Sequence, residues 1–175
     1  MSQSSDPLDL SITLTPPPSG TAPEVLATIT LKCDALGLSH TGDLLTDPLT
    51  QPEREELRWY LEEYRKWPFE AFAQRGQQVE DLLPEVGKRL YRAVFGSPKS
   101  ISLLQAWRLQ PGVQRQISIV SELPKALSMP WELLHDEQGF LVLRTSHLFR
   151  WCADCCNGNC PPSRHHLSHP CGCCW

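Results

Sequence analysis

The stretch Pro111-Gly112-Val113-Gln114-Arg115-Gln116-Ile117-Ser118-Ile119 decides the fold class of this chain. After the Pro-Gly turn, Val113, Ile117 and Ile119 alternate with Gln114, Gln116 and Ser118, which is the period of a sheet strand with one buried face. It lies downstream of a long helical region, so strand character returns after helices. Strands, then helices, then strands predict a mixed α/β layered fold.

Working upstream, Leu8, Leu10, Ile12 and Leu14 alternate with Asp9, Ser11 and Thr13, and Val25, Ala27, Ile29 and Leu31 alternate with Thr28 and Thr30. Pro16-Pro17-Pro18-Ser19-Gly20 breaks the chain between them, so the two strands form an N-terminal β-hairpin with a longer loop. Residues 34–50, with Gly37, Gly42, Pro48 and weak periodicity, read as a connection. Thr50 and Glu53 occupy capping-box positions with Pro52 in the first turn, so a helix starts there and presents Leu57, Tyr60, Leu61 and Tyr64 on one face until Trp67-Pro68. A second helical run carries Val79, Leu82, Leu83, Val86, Leu90 and Val94, with Pro84 expected to kink or split it and Gly96 to stop it. Ser97-Pro98 opens a shorter helix presenting Leu103, Leu104 and Trp107. Downstream of the deciding stretch, residues 128–139 read as a turn or short helix, followed by the apolar run Phe140-Leu141-Val142-Leu143.

At 175 residues the chain has the length of one ordinary domain, and 41% hydrophobic with 21% charged residues is the composition of a folded body. The net charge of -4 is mild, and Lys and Arg are interspersed with Glu and Asp, so neither nucleic acid nor an anionic membrane is an expected partner. No run approaches the ~18 apolar residues of a membrane span, and the N-terminus lacks the basic and apolar regions of a secretory signal. The expected compartment is the cytoplasm. Of the eight cysteines, Cys33 alone precedes position 151, and the other seven crowd into residues 152–174.

Three blocks carry a family resemblance: Leu57-Arg58-Trp59-Tyr60-Leu61-Glu62, Val86-Gly87-Lys88-Arg89-Leu90-Tyr91, and Met129-Pro130-Trp131-Glu132-Leu133-Leu134-His135-Asp136 followed by Phe140-Leu141-Val142-Leu143-Arg144. From about position 50 to position 147 the chain resembles the CHAT family, a caspase-like cysteine peptidase group often fused to tetratricopeptide repeats. The resemblance implies a partial caspase-like layered fold. It also implies that a further strand and then His-bearing and Cys-bearing segments, which form the peptidase dyad in relatives, should follow the Arg144 region. The sequence departs from that pattern after Thr145-Ser146-His147, where Leu148-Phe149-Arg150-Trp151-Cys152 stands instead of a strand ending in basic residues. From Trp151 onward, strand or helix periodicity gives way to Cys, Pro, His and Gly. That break is what a shifted reading frame produces, and the tail is expected to be disordered or out of frame.

A cysteine peptidase needs a thiolate beside a proton-accepting His. In the body the thiol is Cys33, with His40 nearest in sequence, and a lone Cys at a strand end reads as a small buried hydrophobe. His135, beside Asp136, reads as an exposed or locally hydrogen-bonded turn residue. Gln105-Ala106 is followed by Trp107, so the Gln-Ala-Cys caspase signature is missing. Pro130 and Trp131 read as a packed corner rather than a binding surface, and Tyr60, Tyr64 and Trp67 as core. The tail offers zinc-type ligands, Cys152, Cys155, Cys171 and Cys173, beside His165, His166 and His169, at spacings that do not form two paired knuckles.

These readings give residues 1–49 as the hairpin and connection, 50–147 as the CHAT-like portion and 148–175 as the Cys/His-rich tail. The expected function is that of a truncated, catalytically inactive CHAT-type fragment with no catalytic residue and no cofactor. Its partner would be a protein met through a sheet edge formed by residues 113–120 and 140–145. The alternative is a small zinc-binding module built on the tail cysteines.

Overall fold

The chain's first strands follow the alternation of its apolar residues. In the computed structural model, which describes residues 7–145 and the backbone of 147–152, β1 (Leu8–Thr15) buries Leu8, Leu10, Ile12 and Leu14, and β2 (Val25–Cys33) buries Ala27, Ile29, Leu31 and Cys33. They pair antiparallel, Ile12 opposite Leu31. A third strand, β3 (Leu38–Thr46), pairs antiparallel with β2 over the segment read from sequence as a connection. It lies at a sheet edge and leaves most of its side chains exposed, so the alternation that marks a half-buried strand never enters its sequence. Its pairing is interrupted by register shifts beside Ala27 and Thr30, and Gly42 adopts a positive φ of 116° within it.

The chain then crosses one face of the sheet as helices. In α1 (Gln51–Trp59), Thr50 and Glu53 form the capping box, and the helix continues as one wider π-type turn over Tyr60–Tyr64. Next comes α2 (Ala73–Phe95), which runs unbroken through Pro84, so the expected split does not occur. Proline removes one backbone hydrogen bond, but Val79 lies buried before it and Val86, Leu90, Val94 and Phe95 after it, and that packing holds the helix together. A short break then leads to α3 (Pro98–Arg108), capped by Ser97 and Ser100.

The deciding stretch forms β4 (Arg115–Ser121), which enters beside β1 and parallel to it, with Leu10 opposite Ile117 and Ile12 opposite Ile119. The single turn α4 (Pro124–Leu127) and the corner at Trp131 follow. The residues expected to extend the sheet edge do something else. The minimal strands β5 (His135–Asp136) and β6 (Gly139–Phe140) pair only with each other, and Leu141–Arg144 coils into a 3₁₀ turn. The next sheet strand is β7 (His147–Cys152), parallel to β4 and running past the boundary read at position 147. Strand order is β3-β2-β1-β4-β7, so β4 is an interior strand and the edge expected over residues 113–120 is covered by β7. The coarse reading of a mixed α/β fold holds.

One core joins the sheet to the helices: Leu10, Ile12, Ile29, Leu31, Ile117 and Ile119 meet Leu90, Val94, Phe95, Leu103, Leu104 and Trp107. Each such side chain contributes about 1.5–3 kcal/mol by leaving water. Two indoles also donate within it, Trp107 Nε1 to Leu8 O and Trp131 Nε1 to Ala126 O, both at 2.9 Å. A smaller cluster of Leu49, Leu57, Tyr60, Val79 and Val86 holds α1 on α2. Leu61 (54% exposed) and Trp67 (70%) lie outside it, contrary to the place of Leu61 on the apolar face and the reading of Trp67 as core, because the wider turn rotates the face of α1 away after Tyr60. The opposite face of the sheet is polar, with Ser11, Thr13, Thr28 and Thr30 half-buried on β1 and β2. On that face burial pushes the Asp9 carboxyl up even though the Ser118 hydroxyl donates to it at 2.7 Å.

Gly87 sets how closely α2 meets the corner after β4. A Cβ there would stand 1.9 Å from the Leu133 carbonyl oxygen and 2.7 Å from His135 Cβ, and backbone cannot swing aside as a flexible side chain can. Gly87→Ala should therefore destabilise the fold by about 1–3 kcal/mol. Urea unfolding should show this as a lower midpoint at unchanged slope; an unchanged midpoint would mean the corner does not pack on α2.

Candidate functional site

Three places hold groups with chemical capacity, and each is positioned by an element end. The first is around Cys33. It closes β2, pairs in register with Leu38, and is fully buried, so burial pushes its thiol further toward the neutral form. His40, on β3, turns to other partners. Its Nε2 lies 3.0 Å from Asp43 Oδ2 and 3.2 Å from Ser97 Oγ, while Ser97 Oγ donates to Asp43 Oδ2 at 2.8 Å. A hydroxyl, an imidazole and a carboxylate thus meet, but hydroxyl and carboxylate share one ring nitrogen. A proton relay needs them on opposite nitrogens. Ser97 also accepts from Ser100 N at 3.2 Å, so the group works as a clamp that ties the start of α3 to β3. Sequence reading identified Ser97 as a cap and missed its partners, because His40 and Asp43 lie in the strand that read as a connection.

The second place is the turn His135–Gly139. Asp136 is buried, and its carboxylate accepts from the Arg108 and Arg144 guanidiniums and from Gln138 N at 2.8 Å. Burial alone would raise its pKa; Arg144, the Gln138 amide and Arg108 outweigh that and hold it below the usual carboxylate range. Arg108, the last residue of α3, therefore fastens the β5–β6 turn to that helix, and Arg144, quoted above for the family block, ties the turn to the 3₁₀ segment Leu141–Arg144, its Nη1 also donating to Gln138 Oε1 at 2.8 Å. His135 is half-buried with its ring edge-on to Phe140 at 4.8 Å. Its Nδ1 is buried without a hydrogen-bond partner among the described residues, which corrects the reading of an exposed or locally bonded side chain. Trp131 is fully buried, as the packed-corner reading expects.

The third place is the sheet margin at β7. Cys152, one of the zinc-type candidates, ends this strand, and only its backbone is described; Cys155, Cys171 and Cys173 lie outside the described residues. Among the described residues no three His, Cys, Asp or Glu side chains group in a way that could hold a metal, and no helix is long and apolar enough to cross a membrane. Compared with known proteins, the chain matches no family model, no curated protein and no solved structure.

The Asp136 knot carries a pH signature. A carboxylate whose folded pKa lies below its unfolded value stabilises the fold fully above the unfolded value, about 4. That contribution is lost as pH falls through the folded value. Asp136→Asn should cost about 2–3 kcal/mol at neutral pH, less than a fully buried pair because Arg108 and Arg144 keep 28% and 33% of their surface in water. The difference between wild type and variant should narrow below pH 4 when both are unfolded by urea. A difference that stays constant down to pH 2 would show that the knot does not titrate.

Proposed function

We propose that this chain is a CHAT-type, caspase-like portion that works as a catalytically inactive protein-interaction module. The observation that carries this reading is the margin of the sheet at β7. The strand pairs with β4 on one side, and no described strand pairs with it on the other. A parallel strand in that position presents a row of backbone donors and acceptors to an extended segment of another protein, and strand addition is a recurrent mode of recognition.

The inactive part of the proposal draws on Cys33. It is fully buried, burial raises its pKa, and the nearby His40 is taken up by Asp43 and Ser97. A thiol in that setting neither ionises readily nor meets a substrate.

Two measurements test the reading. In the native chain, iodoacetamide followed by peptide mapping should leave Cys33 unmodified, and unfolding in urea should expose it. Cleavage of a mixed fluorogenic peptide set should be absent, and identical in Cys33→Ala; cleavage lost in that variant would overturn the inactive reading. For the interaction, hydrogen exchange in the presence of a binding protein should show new protection at residues 147–152, while protection confined to the helical layer would overturn the edge as the contact.

A further inference from the structure

The last turns of α2, the length of α3 and the β5–β6 turn enclose a cleft of about 490 Å³, a size typical of small-ligand sites. Its floor is apolar. Phe95 is buried at the base, Tyr91 is half-buried with its ring 5.2 Å from that of Phe95, and Ile101 lines the wall from α3 with 36% of its surface exposed. An aromatic and aliphatic surface of this kind, open to water, offers contact area to the body of a ligand.

The rim is polar and mostly cationic, with Lys88, Arg92, Gln105 and Arg108. Two of these cations already have counter-ions: Lys88 donates to Glu85 at 2.7 Å and Arg108 to Asp136. Asp136 in turn is saturated by Arg108, Arg144 and the Gln138 amide, so it adds little negative potential to the cleft. The exposed Glu137 is the remaining carboxylate of the lining. Arg92 differs from its neighbours: it is exposed, and although its charge, after that of Lys88, helps hold the Glu85 carboxyl below its ordinary range, it makes no side-chain hydrogen bond and no ion pair within 4.0 Å among the described residues. A guanidinium is a planar fork that receives a carboxylate or a phosphate through two parallel bonds. Here it lines the same cleft as the apolar floor.

We propose that this cleft binds a small anion that carries an aromatic or branched aliphatic body. The anionic group meets Arg92, with Lys88 beside it and Gln105 as a neutral donor, and the body lies on Tyr91, Phe95 and Ile101. The site involves neither Cys33 nor the β7 margin, so it stands or falls apart from the interaction role.

Phenyl phosphate is a suitable probe, followed by amide chemical shifts of the full chain, with inorganic phosphate run in parallel. Saturable millimolar shifts confined to residues 88–96, 101–108 and 135–138 are expected, with inorganic phosphate the weaker of the two. Arg92→Gln, a substitution at an exposed position, should leave the remaining spectrum unchanged and weaken phenyl phosphate binding by about tenfold or more, through the loss of its charge-assisted hydrogen bonds at a solvent-exposed rim. Ile101→Glu, which sets a carboxylate on the wall, should abolish it. No saturable shift in the cleft, or equal affinity in Arg92→Gln, overturns the proposal. Equal binding of inorganic phosphate and phenyl phosphate overturns the part assigned to the apolar floor.

Discussion

The parallel pairing of β1 with β4 is the constraint on which the rest of the molecule hangs. It joins the beginning of the described chain to a strand that follows all three long helices, and Leu8 contributes to it twice. Its amide donates to Gln114 O at 2.7 Å, and its carbonyl accepts the Trp107 indole at 2.9 Å, across 99 residues of sequence. One residue thereby fixes the register of the ladder and the seat of α3. Remove that pairing and β7 has nothing to extend, the face of Ile117 and Ile119 loses its partners, and the helices lose the part of the sheet that those residues supply.

Around this pairing the helical layer is fastened at its ends more than along its length. Arg115 donates to the carbonyls of Arg108 and Gln110 at 2.7 and 2.6 Å, which satisfies the C-terminal end of α3 just as the chain turns into β4. Ser97, His40 and Asp43 hold the opposite end of the same helix against β3. Asp136 joins α3 to the β5–β6 turn, and Gly87 lets α2 approach the corner that precedes that turn. The cleft proposed as a ligand site lies between these fastenings, so its walls are held at their ends, the Arg108–Asp136 pair on its own rim included.

Much of this was legible in sequence, for identifiable physical reasons. Leu8 to Leu14 and Ala27 to Cys33 lie on half-buried strands, where burial writes a period of two into the residues. Thr50 with Glu53, and Ser97 with Pro98, announce helix starts because the orphaned amides of a first turn need such side chains. What escaped is equally physical. β3 is an edge strand with little to bury, so it left no pattern. Phe140 to Leu143 is apolar without being a sheet strand: Leu141 is buried in the core, whereas Leu143 is 79% exposed. Leu61 and Trp67 fell on the helical face by count, but a single wider turn changed the phase, and nothing local in the residues signals it. Of the sites, Cys33 was readable as a buried thiol. Arg92 was not, because the absence of a hydrogen bond or close ion pair to it among the described residues is a property of the folded neighbourhood.

The same long-range pairing bears on how the chain is made. β1, β2 and β3 are contiguous and can form their antiparallel meander as soon as they leave the ribosome, but β1 then has one side unpaired until β4 is synthesised. At ordinary elongation rates that interval is about 5–20 s, long compared with the microseconds in which a hairpin closes. Through it the meander carries an open strand and the uncovered apolar row of Leu10, Ile12, Ile29 and Leu31. The protein therefore spends its birth with its most adhesive surface exposed, and the helices that emerge in between, α2 above all, act as a cover laid over that row before the last strands arrive to complete the sheet.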